Sequence, residues 1–258
     1  MVTAPDIIVR RPGPRAWAAL VAAECRMVAR DTAGLVVPIG LPLLILVMNA
    51  VSAQGGQPLP GGRTVLDVYV LPLVFTVIIA TIGVVNMPSF LAYYRRTGVL
   101  RRLAVTPAHP AMVLAAQVVT SLLQTIVGVG LALGVAVVAF GVRAHEHPGR
   151  TVAVVALAAA AMYAVGMLVA AVAPSGNASV AIGLTAFFAM AATGGLFGPT
   201  QNLPDPVATV GEALPFGAAV QAVGAAWSGE PPQARHLIAL AVATVVGALV
   251  AARFFRWQ

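Results

Sequence analysis

The chain has 258 residues, of which 60% are hydrophobic and 9% charged, with 15 basic and 8 acidic side chains and a mean hydropathy of +0.93. A soluble domain carries about 25% charged residues, so this chain cannot cover its own surface in water, and its net charge of +7 is not a nucleic-acid signal. Every basic residue is arginine; without lysine there is no P-loop, and Schiff-base or Ser–Lys chemistry is excluded as well.

The lone Cys25 permits neither an intrachain disulfide nor a thiolate metal cluster. Residues 1–33 hold no uninterrupted apolar run of the kind a cleaved signal needs, so the first lipid-competent run is expected to be a retained anchor. Residues 15–33 predict an amphipathic helix lying in the membrane surface. Trp17, Leu20, Val21, Met27 and Val28 share one face, and Arg15, Arg26 and Arg30 lie opposite. Glu24 falls on the apolar side, where an unpaired carboxylate is costly. Two readings stay open: a fixed pairing with an arginine of the following inner loop, or a carboxyl that snorkels or is neutral at the interface.

A bilayer core takes about 20 apolar residues per helix. On that measure the chain predicts six spans, near 34–53, 68–91, 111–142, 151–173, 178–198 and 236–252. Pro38 and Pro42 fall inside the first, tolerable where neighbours re-satisfy the broken turn. The turn Pro174-Ser-Gly-Asn177 divides the charge-free stretch from Thr151 to Pro204. With the N-terminus inside, 11 of the 15 arginines face the cytoplasm and four (Arg63, Arg143, Arg150 and Arg235) face outward, which puts both termini on the cytoplasmic side of the cell membrane.

Between the second and third spans lies an arginine-rich segment, 92–110. As a short helix it would gather Val99, Leu100 and Leu103 on one side with Arg101 pointing away, until Thr106-Pro107 stops it. It reads either as a solvated charged loop or, given the Gly98 break, as a small helix offered to a cytoplasmic partner. The outer segment 199–235 is too apolar for a loop, yet Pro204, Pro206, Glu212 and Pro215 forbid a full span. It predicts two short helices, about 206–213 and 216–227, dipping into the outer leaflet, serving either as a release lip or as packing. The span centres hold no Asp, Glu or His, which disfavours a proton-coupled antiporter. Small-residue pairs, Gly130/Gly134 and Gly194/Gly198, would permit close helix approach. His145-Glu146-His147 reads as a wet loop rather than a metal site.

In this order, AECRMVARDTAGLVVPIGLPLLILV, RRTGVLRRLAVTPAHPAMVLAAQVV and GGLFGPTQNLPDPVATVGEALPFGAAVQAV resemble the elbow helix, coupling loop and late signature region of type-2 ABC exporter permeases. The resemblance covers essentially the whole chain as one transmembrane permease domain, all-α, with a surface helix and two short outer re-entrant helices. It implies a permease paired with a second copy, or with a related chain, and clasped by two separate ABC ATPase subunits. ATP and magnesium would be held there, so this chain carries no cofactor and is not itself an enzyme. The coupling residues it implies are Arg95, Arg96, Gly98, Val99, Leu100, Arg101, Arg102, Leu103, Thr106 and Pro107, with an outer gate at Pro204, Glu212, Pro215 and Phe216. The implied cargo is amphipathic or apolar: a drug, a lipid or a glycan precursor. A membrane scaffold that moves no substrate is the alternative.

Overall fold

The computed structural model describes residues 13–53, 64–98, 111–142 and 147–254, and among them every regular element is helical. Six helices are long and apolar enough to cross a bilayer.

Helix α1 (Pro14–Arg30) starts with Pro14 at its first position, where a missing N–H costs nothing. It ends at Asp31, whose extended backbone breaks the helix. The Asp31 carboxylate then accepts from the Gly34 N–H at 3.1 Å, capping α2 (Thr32–Ala53). One residue therefore closes the first helix and opens the second. Helix α2 contains both Pro38 and Pro42, as predicted.

The second span is a continuous helical shaft in four parts: a π-helical turn Leu66–Val70, α3 (Leu71–Ala80), a π-helical segment Thr81–Asn86, and α4 (Met87–Arg96). Thr64 and Asp67 cap its start reciprocally: the Thr64 N–H and hydroxyl donate to the Asp67 carboxylate at 3.1 and 2.8 Å, and the Asp67 N–H donates back at 3.2 Å. All of α3 is buried, so this span forms the axis of the bundle while the others keep one side open. The shaft runs past the predicted boundary at 91: Pro88 sits in the first turn of Met87–Arg96, and no proline or glycine follows it before Gly98. Its stop is Gly98, with φ +69°, the left-handed residue that follows many helix ends.

Against the shaft stand α5 (Ala111–Phe140), α6 (Pro148–Val172) and α7 (Gly176–Thr193), and α10 (Ala234–Phe254) packs on α6. Ser175, in the predicted turn, caps α7 by accepting from the Ala178 N–H at 3.2 Å. Helix α7 ends at Thr193, five residues short of the predicted boundary, because Gly195 (φ +104°) and Gly198 (φ +150°) turn the chain. Close packing is set by glycine: a Cβ on Gly166 of α6 would lie 1.8 Å from the Gly83 carbonyl oxygen. Gly130 and Gly134, by contrast, face open space, so that pair joins no helices within this chain.

The late segment forms α8 (Asp205–Ala213) and α9 (Pro215–Trp227), bent 82° apart at Leu214. The bend leaves them unable to make one straight crossing. Helix α9 is packed against α3, with Phe216, Val220 and Val223 buried.

Candidate functional site

Three places gather the polar chemistry of this apolar chain. The first is where α1 meets the end of the shaft. Glu24 is only 4% exposed, while Arg15, Arg26, Arg30 and Asp31 around it are all exposed. Its Oε2 accepts from the Tyr94 hydroxyl, and among the described residues that is its partner. Burial pushes the Glu24 carboxyl above its ordinary value, with the Tyr94 hydrogen bond pulling partly back. The Tyr94 oxygen also lies 3.4 Å from Met27 Sδ, and Val113 of α5 packs against the same ring. Tyr94 thus joins the three helices that bracket the arginine-rich segment.

Of the predicted coupling residues, Arg95 and Arg96 lie in the last turn of α4. The Arg96 guanidinium stands 5.9 Å from the Tyr93 ring centre, and Gly98 makes the turn beyond. Val99, Leu100, Arg101, Arg102, Leu103, Thr106 and Pro107 lie outside the described residues, as do His145 and Glu146.

The second place is a cleft of about 420 Å³ between α2, the shaft and α7. Pro38, Leu41, Val85 and Phe188 supply its apolar wall, and Asn49, Thr81 and Asn86 its polar groups. Among the described residues lining it, none is charged. Each asparagine amide already uses one of its two N–H donors: Asn49 donates to the Ile45 carbonyl at 2.8 Å and Asn86 to the Gly34 carbonyl at 2.6 Å. Their carbonyl oxygens remain to accept. Thr81 and Asn86 reach the cleft from the ends of the π-helical segment, an irregularity frequently found at functional sites.

The third place is the corner between α8 and α9. Glu212 accepts from the Thr200 hydroxyl at 3.1 Å, and Gln221 donates to that hydroxyl at 3.2 Å. Arg235 pairs with Glu212 at 3.0 Å, and His236 Nε2 stands 3.8 Å away. Of the predicted gate residues, Pro204 precedes α8 and Pro215 starts α9. Phe216 is a fully buried core residue, edge-on to Phe187 at 6.0 Å. Phe187 also lines the cleft, so packing joins the second place to the third. Sequence reasoning missed Tyr94, Thr200 and His236. A tyrosine immediately before an arginine pair, with a misplaced glutamate on the preceding amphipathic helix, was the available signal for the first.

The sequence pattern of the ABC-2 type transporter family matches residues 15–226. The match takes in α1, the shaft, the cleft and the corner between α8 and α9 up to residue 226, short of Arg235 and His236. The chain belongs to that family. It is the transmembrane permease subunit of an ABC transporter, a multi-pass membrane transport component. No curated protein matches this permease.

Proposed function

We propose that this permease carries an amphipathic or apolar cargo outward across the cytoplasmic membrane, driven by a separate ATPase subunit. The observation that carries the reading is the cleft. Its wall is apolar, its polar groups are neutral, and it lies on the side of the bundle where α2 and α7 are still uncovered. Such a surface suits a drug-like molecule, a lipid or the lipid-linked portion of a glycan precursor better than an ion or a sugar alone.

The working unit is two permeases, alike or related, with two ATPase subunits on the cytoplasmic face. ATP and magnesium belong to those subunits and supply the driving reaction. This chain contributes the contact surface, with Val99, Leu100 and Leu103 as its apolar part and Arg95, Arg96, Arg101 and Arg102 around them, ended by Thr106 and Pro107. Both termini are cytoplasmic on the arginine count, and α1 lies along that surface. Helices α8 and α9 dip back into the outer leaflet, where Pro204, Glu212, Pro215 and Phe216 form the gate.

The test is reconstitution. The permease purified with its ATPase should hydrolyse ATP faster when apolar candidate compounds are added, and Leu100→Glu with Leu103→Glu should abolish co-purification. A permease that binds no ATPase, or one whose partner ignores every such compound, fits a scaffold instead.

A further inference from the structure

A carboxylate that is 4% exposed needs a reason in a helix whose other charged side chains are all in the open, since packing alone would be served better by leucine. Among the described residues Glu24 makes one bond, and that bond goes to Tyr94. Tyr94 is four residues before Gly98, where the chain turns into the 99–110 segment. At its other end α1 runs through the single residue Asp31 into α2. There the Gly34 carbonyl accepts from Asn86 at 2.6 Å and from Gln124 at 2.7 Å. Asn86 lines the cleft, as does Pro38 one turn further along α2. Helix α1 is therefore pinned twice: to the foot of the shaft by Glu24–Tyr94, and to the cleft wall through Gly34.

We propose that Glu24 and Tyr94 are positioning residues for energy coupling, the pin through which displacement of the 99–110 segment tilts α1 and, by way of Gly34, resets the cleft. This rests on the coupling reading above. The pin requires a hydrogen-bond acceptor at position 24 and not a charge, so glutamine serves and leucine does not. Tyr94→Phe keeps the ring against Met27 and Val113 and removes only the hydroxyl. A Coulombic role and a purely packing role therefore give different results.

The experiment uses the permease–ATPase complex in lipid nanodiscs, with Leu41→Cys in the cleft and Cys25→Ser to remove the native thiol. The readout is the labelling rate of that cysteine by a water-soluble maleimide, compared between nucleotide-free and ATP–vanadate-trapped complexes. Trapping should change the rate in the parent and in Glu24→Gln. In Tyr94→Phe and Glu24→Leu the change should shrink about fivefold, the factor one hydrogen bond sets, while co-purification and melting temperature stay near the parent's. The double variant should be no worse than either single one.

A full response in Tyr94→Phe and Glu24→Leu overturns the pin while leaving the coupling reading intact, and so do additive losses in the double variant. A defective Glu24→Gln shows that the charge matters instead, and overturns it too. Absence of any nucleotide response in a parent that does hold its ATPase removes the coupling reading and the pin with it.

Discussion

Pro38 stands four residues after Gly34 and has no N–H to give to the Gly34 carbonyl, and two side chains from other helices fill the gap. Asn86 of the shaft and Gln124 of α5 donate to that oxygen at 2.6 and 2.7 Å. A proline inside an apolar helix frees one acceptor, and in lipid that acceptor must be satisfied from within the protein. Here the repair also fixes where α2, the shaft and α5 stand relative to one another.

Removing one donor should therefore cost little and removing both should cost more than the sum. Asn86→Ala or Gln124→Ala alone leaves one bond and should lower stability by about 0.5–1.5 kcal/mol. The pair leaves a buried carbonyl with no donor, adding a penalty of about 1–3 kcal/mol. Thermal unfolding of the four proteins in detergent checks this; strictly additive losses would refute it.

Gly166→Ala should be among the most damaging single methyl additions. Its Cβ would meet the Gly83 carbonyl oxygen at 1.8 Å, and backbone cannot yield as a flexible side chain does. A loss of about 3 kcal/mol or more is expected, at or beyond the upper end of overpacking costs. Gly130→Ala, which faces open space, should change the melting temperature of the isolated chain hardly at all.

Glu24 gives a pH dependence with a definite sign. Its folded-state pKa lies above the ordinary 4.5, so the folded protein holds that proton more tightly than the unfolded chain. Its contribution to stability is complete below pH 4.5 and is lost as pH rises from there through the folded value. Melting curves from about pH 4 to about pH 8 should show this decline in the native protein, and Glu24→Gln should flatten it.

The corner between α8 and α9 should prove energetically soft. Arg235 is 63% exposed in its pairing with Glu212, and exposed ion pairs contribute about 0–1 kcal/mol. Arg235→Ala should lower the melting temperature only slightly. Glu212→Ala also takes the acceptor from the hydroxyl hydrogen of buried Thr200, leaving that oxygen only its bond from Gln221, and should cost about 1 kcal/mol more. Equal effects from the two substitutions would count against the assigned network.

Much of the architecture was legible in the residues. The number of spans, the proline-bearing first one, the turn at Pro174–Asn177 and the two short late helices all follow from apolar run length and from where proline and glycine interrupt it. Boundaries were less so. The shaft continues to Arg96 because a helix tolerates a polar end, and composition alone marked that end as loop. The π-helical segment had no reading at all: Pro88 leaves the Val84 carbonyl without its usual donor, and glycines on α6 and α7 bring those helices against Gly83 and Val84, a contact only the tertiary structure shows. Glu24 could be singled out as misplaced, yet its partner could not be named, because the pairing spans 70 residues and depends on how α1 lies against the shaft.

The shaft leaves the ribosome long before the helices that enclose it, the last of them being Pro215–Trp227. Until those arrive, a stretch with two wide π-helical turns must rest in hydrocarbon beside whatever insertion machinery is at hand. Biogenesis of this permease is thus committed to a late, non-local closure, and a truncated chain ending before α9 should be handed to membrane proteases rather than accumulate as a half-built bundle.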